Sequence, residues 1–424
     1  ELHQKIANIL IEMQGDPLQI GYHYEQAGLS GEAAQYLAQA GARAMAANAI
    51  NQAIKCYRRA VELVESQSSY EALGNLHRQQ GAWSESVNAF KQALEMAQKS
   101  GDVDKQAQLQ NNLAFTLWLA DEYKEASDYA SEVLKVERVS PIEQATAQSH
   151  LGMIAWVLGH FREAENWCQK AVAMLTESGD EARLAGAYNR LGLVYFSQGK
   201  FAEAAQLTQQ ALATREKFDD RWGKAYCLVS LGRIAAEQGN FESATTHFTQ
   251  AQELFETIGS NDGLLVVYTE QGRTQLLQGA AGEAMPLLSQ ALQLAQNLGK
   301  RSAYSMGDIY LLIAQANLKQ GQIDRAKASM DSALKLVESA GNQAFVAAGR
   351  ALMAQIYTAQ NKPAPADKMY QAAIGLFEKV GNPAGLLRTK VAYARFLAGQ
   401  GKSDIAATME QEARSQAESI GLYI

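Results

Sequence analysis

A chain of 424 residues with a formal charge of −7 is longer than one ordinary hydrophobic core supports, so it is either several domains or an architecture that grows by addition. With 47% hydrophobic residues, only six prolines and no Gly/Ser-rich or charge-block linker, the composition favours the additive, helical solution. No Lys/Arg stripe, no apolar run of roughly 18 to 20 residues and no basic-then-apolar leader stands in the sequence, so neither nucleic acid nor a membrane is an expected partner. The three cysteines, Cys56, Cys168 and Cys227, lie far apart without a C-x-x-C pair, and read as buried thiols of a cytoplasmic protein.

In chain order, ELHQKIANIL and PLQIGYHYEQAG read as short amphipathic helices, and EAAQYLAQAGARAMAANAINQAIKCYRRAVELV as an alanine-rich helical hairpin. Residues 1–60 are thus expected to be atypical, capping hairpins, and 61–424 an array of about nine 40-residue repeats. The array is anchored on short turns at Gly81, Asp121, Gly159, Gly199, Gly239, Gly279, Gly321, Asn361 and Gly401, spaced 40, 38, 40, 40, 40, 42, 40 and 40. Gly, Asp and Asn tolerate the left-handed conformation that ends a helix tightly.

Other positions keep step with the anchor. Eight and seven residues before it stand a large and a small residue, as in Leu73-Gly74, Leu151-Gly152 and Leu231-Gly232. Alanines recur five and twelve residues after it, as at Ala204 and Ala211, and an aromatic follows by two at Trp83, Tyr123, Phe161, Phe201 and Phe241. Small residues at fixed helical offsets let two backbones approach closely, so each unit is a helix hairpin. A second turn, at Gly101, Gly179, Gly259, Gly299, Gly341, Gly381 and Gly421, closes the other helix. One hairpin cannot bury its apolar face alone, so neighbours must stack. Toward the C-terminus the pattern weakens: Pro363 and Ser403 replace the aromatic, Ala281 does so in the unit carrying Pro286, and those three units are expected to be looser.

The large/Gly pair, the Gly-x-aromatic turn and the two alanines together resemble the tetratricopeptide family in its longer 40-residue form, over about residues 60–420. The resemblance implies an all-α, right-handed superhelical solenoid that binds a protein or peptide on its concave face. HYEQAG, AGARA and YRRAVELV in the first block resemble the segment following the nucleotide-hydrolysing module of STAND-type signalling ATPases. That likeness implies a sensor region, with an adjoining nucleotide-hydrolysing domain as a further partner.

The sequence carries no constellation suited to catalysis. No phosphate-binding loop, nucleophile elbow or H-E-x-x-H helix occurs, and His3, His23, His77, His150, His160 and His247 have no metal-ligand spacing. Asp102 and Asp219-Asp220 fall where N-caps are needed. The expectation is therefore no enzyme, no cofactor and no metal.

Positions ten, six and three residues before each anchor share about 60° of a helical wheel and should face the groove. They place Asn75, Arg78, Asn111, Phe115, Trp118, Ser149, Met153, Trp156, Asn189, Leu193, Phe196, Arg233 and Arg273 as ligand-binding candidates. Six of these form an apolar, aromatic stretch from Phe115 to Phe196, followed by the two arginines, which suits an extended or helical peptide with an acidic group. The same aromatics could instead pack within the array or dock another domain of the same protein. A small-effector sensor and a scaffold or self-association element stand as alternatives, and the sequence leaves the oligomeric state open.

Overall fold

Helix pairs follow one another throughout, as the small-residue spacing requires. The computed structural model describes all residues except 48, 300–305 and 340–341 and the side chains of 337–339, so the turn expected at Gly341 lies outside the described residues. Among the described residues every regular element is helical. Four helices come first: α1 (Leu2–Glu12), α2 (Pro17–Gln26), α3 (Ser30–Ala46) and α4 (Ile50–Leu63). The hairpins of the array follow as α5 (Gln67–Gln79) with α6 (Trp83–Ser100), α7 (Val103–Leu119) with α8 (Tyr123–Lys135), and α9 (Pro141–Val157) with α10 (Phe161–Ser178). Next are α11 (Glu181–Ser197) with α12 (Phe201–Lys217), α13 (Arg221–Glu237) with α14 (Phe241–Ile258), and α15 (Asn261–Leu277) with α16 (Ala281–Asn297). The last are α17 (Asp308–Lys319) with α18 (Ile323–Ser339), α19 (Gln343–Ala359) with α20 (Pro363–Val380), and α21 (Pro383–Gly399) with α22 (Ser403–Ser419).

All nine anchor residues adopt positive φ, from 56° at Asn361 to 86° at Gly279. Close approach explains the small residue seven positions earlier: a Cβ on Gly232 would lie 2.6 Å from the Phe248 ring, which is itself 1% exposed. Asp102 and Asp220 cap their helices, accepting from the backbone N–H of Lys105 at 3.0 Å and of Gly223 at 2.8 Å. Pro286 leaves α16 unbroken, because in the second turn it removes one backbone hydrogen bond, and Pro363 opens α20 at a position suited to proline. The three cysteines are free and buried. No helix of the described residues is long and apolar enough to cross a membrane.

The chain forms two compact units, Glu1–Gln144 and Ala145–Ile424. In the first, Tyr57, Leu73, Leu76 and Ala53 form a core under α3–α6. The second closes on itself. Phe201 of α12 and Ile234 of α13 share a core with Leu387 and Val391 of α21 and with Ala413 and Ala417 of α22. The Tyr423 N–H donates to the Glu237 carbonyl at 2.7 Å, and the Asn342 side chain donates to the Val157 carbonyl.

Candidate functional site

Because the second unit closes, the first helices of its hairpins, α9, α11, α13, α15, α17, α19 and α21, all contribute to one cavity of about 330 Å³. Trp156 and Phe196 form its aromatic wall, with Phe345 and Phe377 among the other lining rings. The Trp156 indole N–H donates to Ser197 Oγ at 2.7 Å, which fixes the ring. The guanidinium of Arg233 lies 5.1 Å from the centre of the Phe196 ring and 6.0 Å from that of Trp156, within cation–π reach.

Beside the wall runs a chain of ion pairs. Glu270 Oε2 stands 3.5 Å from Arg233 Nε and 3.2 Å from Arg273 Nε, and a second Arg273 nitrogen donates to Asp308. Arg388 Nη1 pairs with Glu237 Oε2 at 2.8 Å while its Nη2 donates to the Tyr423 carbonyl at 2.8 Å. Burial opposes the charge on Arg273, yet the carboxylates of Asp308 and Glu270 hold its pKa above the usual arginine value. Burial lifts the Asp308 carboxyl above its ordinary range, against the pull of Arg273. The three arginines and three carboxylates balance, so the cavity carries no net charge from them.

Of the thirteen candidates, Trp156, Phe196, Arg233 and Arg273 meet in this cavity. Met153 is buried at 7% exposure and Leu193 half-buried, and neither lines it. Ser149 is buried and its Oγ accepts from Arg190 Nη1 at 2.7 Å, while Asn189 is half-buried. The other five belong to the first unit. Asn111 is 3% exposed and donates to the Glu143 carbonyl at 3.0 Å and carboxylate at 2.8 Å, so its amide serves helix packing. Asn75 is exposed, and Arg78, Phe115 and Trp118 are half-buried. The aromatic stretch read along the sequence is thus divided, Phe115 and Trp118 falling in one unit and Trp156 and Phe196 in the other.

Glu237, Glu270, Asp308, Asn342, Asn382 and Arg388 were not among the candidates. Glu270 had a legible signal, since it precedes Arg273 by three residues on one helix. The others enter from the far end of the chain or off the three expected positions. Asn342 and Asn382 are N-caps, accepting from the Ala344 N–H at 2.9 Å and the Gly385 N–H at 2.8 Å, and so bring two helix N-termini to the cavity. No group of three or more His, Cys, Asp or Glu side chains suited to a metal occurs among the described residues, although His3 and His23, far apart in sequence, place their Nδ1 atoms 2.8 Å apart.

Stacked hairpins with small residues at the crossing and a left-handed turn between the helices define a helical-repeat solenoid. The chain belongs to the tetratricopeptide-repeat family: the tetratricopeptide repeat model matches residues 65–136 and 143–217, and the MalT-like TPR region matches 217–420. No curated protein matches its sequence. Among solved structures it is similar to a Rap protein complexed with competence and sporulation factor, at 13% identity over 84% of this chain and 99% of that one, with a TM-score of 0.66. It is also similar to NprR in complex with its cognate peptide NprX, at 15% identity over 80% and 99% of the two chains, with a TM-score of 0.57. The apo form of the quorum sensor NprR from B. thuringiensis matches at 15% identity over 82% and 97%, with a TM-score of 0.52. At these identities the likeness is one of fold.

Proposed function

We propose that the chain is a non-catalytic tetratricopeptide module that holds a peptide or protein segment in the cavity of its second unit. The observation that carries this reading is the shared cavity itself, in which the Trp156 and Phe196 rings stand beside three arginine–carboxylate pairs. Rigid rings supply apolar contact at little entropic cost, and paired ions orient a ligand backbone. Guanidinium groups already matched by carboxylates serve holding rather than proton transfer. The fold shared with NprR, solved in complex with its cognate peptide NprX, and with a Rap protein complexed with competence and sporulation factor supports the same reading.

The balance of charge refines the ligand. Arg233 and Arg273 answer first to Glu270 and Asp308, so a purely acidic ligand would have to displace those partners. An apolar side chain within a neutral or mixed-charge segment fits this seat better. Panning a random peptide display library against the whole chain should enrich such segments, and Phe196→Ala should weaken the enriched peptides about tenfold or more in calorimetry. Unchanged affinity in that variant, with helicity intact, would remove the cavity from the assignment.

A second reading is a small-effector sensor attached to a STAND-type ATPase, supported by the match to the MalT-like TPR region and by a cavity volume within the range of small-ligand sites. A metabolite bound at a hundred times its Kd would add about 2.7 kcal/mol of stability, which a thermal-shift panel reads directly. A clear peptide ligand with no metabolite hit would decide against it.

A further inference from the structure

In the first unit, α1 has two apolar faces, and only one of them is buried. On the inner face, His3 Nδ1 stands 2.8 Å from Nδ1 of His23 on α2, and the Tyr24 hydroxyl donates to Asn8 Oδ1 at 2.9 Å. Ala7 on the same side shares a core with Ile20, Tyr24 and Ala33, and Leu10 and Ile11 pack against it. A surface helix with one buried stripe carries polar residues elsewhere. On α1, by contrast, Leu2 is 70% exposed, Ile9 54%, and Met13 at the C-cap 73%.

With the half-buried Ile6, these side chains form a second stripe. At 100° per residue the four fall within about 60° of a helical wheel, on the side away from Ala7. Their spacing of four, three and four residues is that of the a and d positions of a heptad, with Leu2 and Ile9 at d and Ile6 and Met13 at a. Single exposed apolar residues are ordinary on a protein surface, whereas a continuous stripe of them marks a contact.

The charges beside the stripe say what it fits. Lys5 and Glu12 are seven residues apart, so both occupy the g position on the solvent flank. Both are exposed, and neither pairs with an opposite charge among the described residues. The other flank, the e position, holds His3 and Leu10, which already face inward. A parallel helix would set its e flank against this g flank, giving Lys5 and Glu12 no charged partner. Reversing the second helix brings g against g. A reversed copy of α1 itself then places Lys5 opposite the partner's Glu12 and Glu12 opposite the partner's Lys5, while Leu2 meets the partner's Met13 and Ile6 the partner's Ile9. The pattern is self-complementary, as a two-fold interface requires.

We propose that two copies of this chain associate through α1, packed antiparallel about a two-fold axis, with Leu2, Ile6, Ile9 and Met13 as the seam and two Lys5–Glu12 pairs fixing its direction. This interface goes beyond the cavity reading, since it lies wholly in the first unit and needs no ligand. A helix of 11 residues is only about 16 Å long, so the contact falls in the small, weak class of interfaces and should dissociate at about 10–100 µM.

Sedimentation equilibrium of the whole chain from about 2 to 200 µM tests this, and should show a monomer–dimer equilibrium. Ile9→Ser should weaken the dimer about tenfold or more, with helicity unchanged by circular dichroism. Lys5→Glu and Glu12→Lys should each weaken it, because like charges then oppose each other at both pairs. An equimolar mixture of those two variants should recover association at about wild-type strength, since every 5–12 contact between unlike chains then joins opposite charges. A monomer at 200 µM would overturn the proposal and leave the stripe to a different occupant. So would a dimer that Ile9→Ser does not weaken, or a mixture that associates no more tightly than its components. Lys5 and Glu12 lie on the surface, so the mixing experiment decides even if Ile9→Ser fails to fold.

Discussion

Closure of the second unit is open to a direct measurement at Gly199. The turn between α11 and α12 places Gly199 at φ 74°, and a Cβ there would fall 2.6 Å from Cγ of Pro383 and 3.3 Å from Cδ1 of Ile420. Gly321 has nearly the same conformation, φ 75°, with no atom within 4 Å of the Cβ position. Gly321→Ala therefore carries the left-handed backbone cost alone, about 1–2 kcal/mol. Gly199→Ala carries that cost and an overpacking cost of about 1–3 kcal/mol, because a proline ring at a helix start cannot rotate aside. The difference between the variants, about 1–3 kcal/mol, is what seating α21 on this turn contributes to that clash. Urea titration of both, read by circular dichroism, measures it, and the midpoint is informative as long as m is unchanged. Since repeat arrays can unfold in stages, hydrogen exchange over residues 383–424 should accelerate only in Gly199→Ala. Equal losses, with equal exchange, would mean that α21 does not rest on the α11–α12 turn in solution and that the cavity is open.

The remaining predictions concern buried charge and thiols. Glu270→Gln, which removes the carboxylate shared by Arg233 and Arg273, should destabilise the chain by about 3 kcal/mol in the same titration, and a loss under 1 kcal/mol would show the pairs to be solvent-screened. Burial, aided by Arg58 and opposed by Glu85, lowers the pKa of His77 below 6.5, and burial does the same for His247. The unfolded chain then takes up protons first as pH falls, so stability present above about 6.5 is lost on acidification toward the folded-state values. His77→Gln with His247→Gln should flatten that dependence between about pH 7.5 and 5.5, and an unchanged slope would refute it. Burial pushes the Cys168 and Cys227 thiols up to about 12, so neither should react with a thiol reagent at about pH 8 until denaturant is added.

The repeat was legible because its determinants are local. Gly232 needs only Phe248, sixteen residues on, to explain its missing side chain, and Asp102 and Asp220 cap the helices that they directly precede. The cavity was partly legible: helical offsets single out Trp156, Phe196, Arg233 and Arg273, since those positions recur on one face of the first helices. The same offsets treated the array as uniform, so they grouped Phe115 and Trp118 with Trp156 and Phe196 although the chain divides between them. Burial also escaped them. Asn111 occupies a groove-facing register, but Glu143 lies close enough to bond it on both the backbone and the carboxylate.

By itself the sequence determined the helices, their pairing, the left-handed turns and the caps, because each depends on residues within one hairpin. Only the tertiary structure decided that the second unit closes. That outcome depends on small rotations summed over seven repeats, and it joins Asn342 to the Val157 carbonyl across a separation of 185 residues. The cavity, its balanced ion pairs and the arrival of Arg388 beside Glu237 all follow from that closure.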